Sequence, residues 1–219
     1  MTGGAGLLWY VAYGSNLFRE RFACYLAGGT PPGGAWRYPG CRDATPARDE
    51  RAVLLPGGVY FAHTSLTWGG GMAFYDAALP GRAPARAYLL TAAQFCDVMA
   101  QEMRRPIDDA AGADRDLAEV LATGRQRLGP GRYETLLKVG ERDGRPMLTF
   151  TAPHAAADAP LNAPTAPYLT MLGRGLREAH GWDAARAAAY LASRPGARHV
   201  WTQPGIAALL GVASPHENR

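Results

Sequence analysis

Residues 8–17 read Leu8-Trp9-Tyr10-Val11-Ala12-Tyr13-Gly14-Ser15-Asn16-Leu17. A run of strand-forming side chains meets a Gly-Ser-Asn corner and leaves it toward a helix, whose apolar positions Phe18, Phe22, Tyr25 and Leu26 recur at three-to-four spacing. The corner predicts Ser15 as the N-cap of that helix. A strand that turns at glycine into a helix N-terminus also presents unpaired backbone N–H groups at a positive dipole end, which suits a carboxylate or a developing oxyanion. A plain cap with a glycine for its turn fits the same residues, so the corner alone leaves both functions open.

Outward from this corner, Gly28-Gly29 and Pro31-Pro32 stop the helix, and residues 33–57, rich in Gly, Pro, Arg and Asp, read as irregular or broken strand. Runs at 59–62, 72–75 and 85–90 predict antiparallel strands joined by turns at 69–71 and 80–81. Thr91-Ala92-Ala93-Gln94 is a capping box, its hydroxyl and amide each satisfying an orphan backbone donor. The helix it opens should reach about Arg104, because Arg104 and Arg105 suit its negative end and Pro106 blocks continuation. Residues 106–131 are polar, with one short helix at 114–123 closed by Gly124, and are expected as an insertion or lid candidate. Segments 133–139 and 146–151 predict a hairpin around Asp143-Gly144. Pro164-Thr165 opens a helix carrying Tyr168, Leu172, Leu176 and Ala179 and ending at Gly181. Asp183 caps another, with Ala187, Tyr190 and Leu191 before Pro195. With 219 residues and no internal repeat, the expectation is a single domain over 1–194 with a polar insertion near 104–131. Residues 195–219 are expected as a C-terminal tail with an apolar patch at 206–210.

Glu102 is the most informative position. Residues on a helix stand about 100° apart, so Phe95, Val98, Met99 and Glu102 fall on one side, and Asp97 and Gln101 on the other. A carboxylate on an apolar face is costly unless paired, and burial raises its pKa toward the range useful for taking and returning protons. Catalysis and a structural role, in which a frayed helix end lets the side chain reach water or an arginine pairs with it, are equal readings at this stage.

Other chemistries find little support. Cys24, Cys41 and Cys96 are odd in number and lack CxxC spacing, which fits free thiols in a reducing compartment. His63, His154, His180, His199 and His216 show no pair at i, i+3 or i+4, so no metal site is expected. Ser15 lacks a G-x-S-x-G elbow, Gly69-Gly70-Gly71 lacks the Lys-Ser/Thr of a P-loop, and no cofactor is expected. The net charge of +4 is spread among dispersed arginines, with Lys138 the only lysine, so no nucleic-acid partner is expected. The opening residues have no basic n-region and no run long enough for a membrane span, giving the expectation of a cytoplasmic protein without a membrane partner.

Four matches in order resemble the γ-glutamylcyclotransferase family. Tyr13-Gly14-Ser15-Asn16-Leu17 matches its YGSNL signature, and Trp68-Gly69-Gly70-Gly71-Met72-Ala73 resembles its W-x-G-G-x-A segment. Gln101-Glu102 falls where the family has its catalytic Gln-Glu, and Pro164-Thr165-Ala166-Pro167-Tyr168 is similar to its P-S-x-x-Y helix start. The set covers roughly residues 8–192. The resemblance implies an α+β fold, a small, mostly antiparallel β-barrel or curled mixed sheet flanked by helices. It implies an enzyme in which Glu102 is the acid/base and Tyr13, Gly14, Ser15, Asn16, Leu17, Phe18 and Tyr168 bind substrate, without metal. The partner it implies is a small-molecule γ-glutamyl amide, cyclised to 5-oxoproline. Oligomeric state stays open, a homodimer included. A non-catalytic binding module of the same fold is the alternative. Met103 stands where the family commonly has glycine, and residues 104–131 are longer than in compact members.

Overall fold

The computed structural model describes residues 6–31, 36–107 and 110–211, the side chains of 110–113 excepted. The fold is α+β. The strands are β1 (Leu7–Ala12), β2 (Glu50–Pro56), β3 (Gly58–Ala62), β4 (Met72–Asp76), β5 (Arg82–Thr91), β6 (Arg125–Arg127), β7 (Thr135–Arg142) and β8 (Arg145–Thr151). The helices are α1 (Arg19–Ala27), α2 (Ala92–Glu102), α3 (Ala110–Thr123), α4 (Ala166–His180), α5 (Ala184–Ala192) and α6 (Gln203–Gly211). Six strands form one mixed sheet in the order β2-β5-β1-β8-β7-β6, and β3-β4 form a separate pair. Among the described residues only β1 and β8 run parallel; the other pairings are antiparallel. The larger sheet keeps two free ends, so of the two expected forms it is the curled mixed sheet and not a closed barrel.

β1 is central and covered on both sides, which is why its sequence is apolar throughout rather than alternating. Trp9 and Val11 pack on one face with Leu172 and Leu176 of α4 and Leu191 of α5. Leu8 and Tyr10 pack on the other with Phe22 and Tyr25 of α1 and Phe95 and Met99 of α2. The corner that follows β1 therefore emerges between two helical layers.

Several expectations change. Ser15 does not cap α1: Ser15–Leu17 form a 3-10 turn, and Phe18 occupies the cap position without a side-chain bond. Of the stretch expected as irregular or broken strand, the strand portion is β2, paired with β5 from Glu50 to Pro56. It is an edge strand with a mostly exposed face, so it lacks the alternation that marks a half-buried strand. The 59–62 and 72–75 strands pair with each other and not with β5. The polar insertion is built into the fold: β6 pairs with β7, and Leu117 and Val120 of α3 are buried beside α2. In the expected tail, residues 203–211 form α6, with Ile206 fully buried in the core beside α4 and α5; the rest of that tail, 212–219, lies outside the described residues. The Thr91 capping box is present with both of its bonds. No helix among the described residues is long and apolar enough to cross a membrane.

Candidate active site

The corner, α2 and α4 meet at one cavity of about 340 Å³. Of the residues expected at a site, Tyr13, Gly14, Ser15, Asn16, Glu102 and Tyr168 line it. Leu17 and Phe18 do not: Leu17 is 2 % exposed in the core, and Phe18 turns the chain into α1. The backbone donors of these two are also spent inside the turn, Leu17 N–H on the Gly14 carbonyl at 2.9 Å and Phe18 N–H on the Ser15 carbonyl at 3.1 Å. The expected cradle of amides thus shrinks to the Gly14–Asn16 end of the motif.

Glu102 ends α2, half-buried in the cavity wall. Its Oε1 accepts from Asn16 Nδ2 at 2.9 Å. Burial pushes its pKa above the usual carboxylate range; a hydrogen bond from Tyr25, the Arg21 charge, the Asn16 bond and Arg104 oppose that rise without cancelling it. The carboxylate is therefore held in a state from which proton uptake is easy. Asn16 is fixed from two sides, since its Nδ2 also reaches Tyr10 Oη at 3.3 Å and its carbonyl accepts from Tyr88 Oη at 2.8 Å. Its Oδ1 is buried and has no partner among the described residues.

The helix wheel places Phe95, Val98, Met99 and Glu102 on one face as expected, but Asp97 and Gln101 are buried too. Asp97 accepts from Arg42 Nη2 at 2.7 Å, and Gln101 Nε2 donates to the Tyr25 carbonyl at 3.0 Å. Those polar contacts bolt the second face of α2 to α1 and to the 38–45 segment, which fixes the axial position of Glu102. Beyond it Arg104 adopts a left-handed φ of 56°. Arg105 N–H returns to the Ala100 carbonyl at 2.8 Å and Arg104 N–H to the Gln101 carbonyl at 3.2 Å, a Schellman closure that glycine usually supplies.

Tyr168 approaches from α4. The helix can lie this close because Gly175 faces the turn, where a Cβ would stand 2.8 Å from the Phe18 nitrogen. On the other side Gly71 presses against the Asn162 carbonyl, and its N–H donates to the Ala163 carbonyl at 2.7 Å, bringing the Trp68 segment to the cavity. The Tyr168 hydroxyl accepts from the Ala73 N–H at 3.3 Å. Tyr168 lines the cavity with that hydroxyl beside Gly14, whose Cβ position lies 3.5 Å from it. Burial pushes its pKa to about 12, so it stays protonated at neutral pH.

Arg21 was not among the expected site residues. It is 4 % exposed, donates from Nε to Ser15 Oγ at 2.7 Å and from Nη2 to Tyr38 Oη at 2.8 Å. Its guanidinium lies 5.3 Å from the Trp68 ring centroid, and its Nη1 has no partner among the described residues. The sequence carried a signal for it: Arg21 falls between Phe18 and Tyr25 at i+3 and i−4 on the apolar face of α1, the same anomaly that singles out Glu102. Ser15 therefore faces a cation and not a base, and none of the described histidines lines the cavity. Tyr133, which donates to the Ala73 carbonyl at 3.0 Å, completes the wall. The mouth carries Trp36 and Leu66, 57 % and 71 % exposed.

No protein-family model matches the chain. Among curated proteins it is similar to Histone deacetylase 5 of Arabidopsis thaliana, 28% identical over 198 residues, which cover 84% of this chain and 30% of that protein. The chain thus spans less than a third of that relative's length. It is similar to a solved gamma-glutamyl cyclotransferase at 16% identity, over 94% of this chain and 99% of the other, with a TM-score of 0.45. It is also similar, at 17% identity and a TM-score of 0.45, to an uncharacterized protein from Homo sapiens, over 90% of this chain and 91% of the other.

Proposed function

We propose that this chain is an enzyme that cyclises γ-glutamyl amides, releasing 5-oxoproline and a free amine. The observation that carries the reading is the half-buried Glu102 carboxylate, held at 2.9 Å by the Asn16 side chain of the Gly-Ser-Asn corner and opening on a cavity that Tyr168 also lines. The chemistry asks for little else. Glu102 takes a proton from the substrate's α-ammonium, and the freed amine attacks its own γ-carbonyl. A C–N bond forms in a five-membered ring, the carbonyl π electrons move onto oxygen, and the Tyr168 O–H and nearby main-chain amides stabilise that oxyanion. Collapse breaks the original γ-amide bond as Glu102 returns its proton to the departing amine, and the carboxylate so freed takes the second surplus proton from the ring nitrogen and passes it to the released amine or to solvent, leaving the neutral lactam.

Because the attack is intramolecular, holding the glutamyl chain folded supplies much of the rate; effective molarities for such closures reach about 10⁵ M or more. Arg21 places a fixed positive charge beside the corner, suited to the α-carboxylate. A non-catalytic binder could dispense with a carboxylate that burial penalises, and the retention of Glu102 in the wall supports the enzyme over that alternative.

The test is incubation with γ-glutamyl dipeptides and γ-glutamylamines, assayed for 5-oxoproline. Release is expected from the wild type, and the folded Glu102→Gln variant should lose at least about 10²–10⁴-fold in turnover. No release from any substrate by folded protein, or wild-type rates in the variant, would overturn the proposal.

A further inference from the structure

Outside the cavity, His63 and His154 face each other across the molecule's fold, 91 residues apart in sequence, with Nε2 to Nε2 at 2.9 Å. The ring centroids are 5.1 Å apart and the planes are inclined by 42°. Both rings are half-buried. His63 follows β3 in a left-handed conformation, φ 55°, which a residue with a Cβ adopts sparingly. Its backbone is pinned there, the N–H to the Pro160 carbonyl at 3.1 Å and the carbonyl by Asn162 Nδ2 at 2.7 Å. His154 follows β8, and its far side is held by Tyr60: the phenol donates to the His154 carbonyl at 3.1 Å and leaves its oxygen to accept from Nδ1–H at 3.3 Å. That bond directs the Nε2 lone pair of His154 at His63. An outer hydrogen bond of this kind is how proteins orient imidazoles that ligate metals.

We propose that His63 and His154 form a chelating site for a borderline divalent transition-metal ion such as Zn²⁺ or Cu²⁺. Nitrogens about 2.0–2.1 Å from a common ion and at right angles to each other stand roughly 2.9 Å apart, the spacing already present. A tetrahedral angle asks for roughly 3.4 Å, a separation that small rotations of the two rings supply. In the free pair His63 Nε2–H donates to His154 Nε2. On binding, that proton moves to His63 Nδ1 through solvent, and both Nε2 lone pairs go to the ion, with no net change in protonation of the neutral pair. Among the described residues no third His, Cys, Asp or Glu joins them to make a group of three, so water fills the remaining positions and the ion exchanges readily. Arg132 donates to the Thr64 carbonyl at 2.6 Å and sets a positive charge beside His63, which weakens the site.

The experiment is a calorimetric titration of the full chain with Zn²⁺ and an electron paramagnetic resonance titration with Cu²⁺, for wild type, His63→Gln, His154→Gln, the double variant, Tyr60→Phe and Arg132→Gln. One equivalent should bind, with two imidazole nitrogens on the copper. Binding should weaken at least about tenfold in each single histidine variant and by about 10–100-fold in Tyr60→Phe, which keeps both imidazoles. It should tighten in Arg132→Gln. Absence of saturable binding by the wild type overturns the site, and so does affinity unchanged in the double variant, which would assign the ion to a thiol such as Cys24. Neither result bears on 5-oxoproline release.

Discussion

Replacing Glu102 by Gln should make the protein more stable while removing the proposed turnover. Burial dominates the environment of this carboxylate, and the Tyr25 bond, Arg21, Asn16 and Arg104 only partly offset it, so the folded state holds the proton to a higher pH than the unfolded chain does. The sign follows from linkage. Below the unfolded value of about 4.5 the group is protonated in both states and contributes no penalty. As pH rises through the folded value the native state must accept a buried charge, and stability falls and stays lower above it. Glutamine occupies the same volume, cannot ionise, and its carbonyl still accepts from Asn16 Nδ2. Arg21 loses a countercharge in the exchange, but that attraction is already contained in the net upward direction, so relief wins. Relaxing an active-site group of this kind is worth about 0.5–2 kcal/mol, or a rise of roughly 2–4 °C in Tm per kcal/mol for a chain of this size.

Differential scanning calorimetry of both proteins between pH 4 and 8 measures this. The Gln variant should melt higher at pH 7.5, and the gap should close toward pH 4. A variant that melts lower at pH 7.5, or a gap that ignores pH, would mean that Glu102 is held by compensating charge and not strained by burial.

Two further substitutions bear on how the site is held. Arg104→Gly should relieve the left-handed strain at the end of α2, raising stability by about 0.5–1 kcal/mol after the loss of its contact with Trp36, whose ring centroid is 5.6 Å away, and calorimetry reads this directly. The same change removes a charge that lowers the pKa of Glu102, so the acid limb of the pH–rate profile should move upward. Gly175→Ala should destabilise by about 1–3 kcal/mol and lower kcat/KM, because the new methyl meets main chain at Phe18, which cannot yield without moving the corner or Tyr168; an unchanged Tm would refute that packing.

How much of this was legible in the sequence depended on whether an element's own pattern decided its fate. The Thr91 capping box, the Asp143-Gly144 hairpin and the α4 face from Tyr168 to Leu176 carry their instructions locally, and each stands where it was expected. β2 and α6 do not. β2 is defined by the hydrogen bonds of β5 and shows an exposed face, while α6 is apolar nearly throughout and gains a direction only from the groove beside α4 and α5. Pairing of β3 with β4 alone, apart from β5, is a tertiary outcome that no run of β-branched residues announces.

The site divides along the same line. Glu102 betrayed itself because a charge on an apolar helix face has no local justification, and Arg21 breaks the same rule on α1. The two charges are complementary, and each lowers the cost of the other's burial through the cavity between them. Asp97 and Gln101 lie on the opposite side of α2, as the helix wheel places them, but that side is buried too, and each has a specific partner in the interior. A buried polar residue is thus a question about partners rather than about faces. Asp97 and Gln101 have theirs in the fold and serve to hold α2. Asn16 Oδ1 and Arg21 Nη1 have none among the described residues, and both residues line the cavity together with Ser15. Protein groups that stay unsatisfied beside a cavity are the places where a ligand has something to offer, and here one is an acceptor suited to an ammonium and the other a donor suited to a carboxylate. An α-amino acid headgroup carries both.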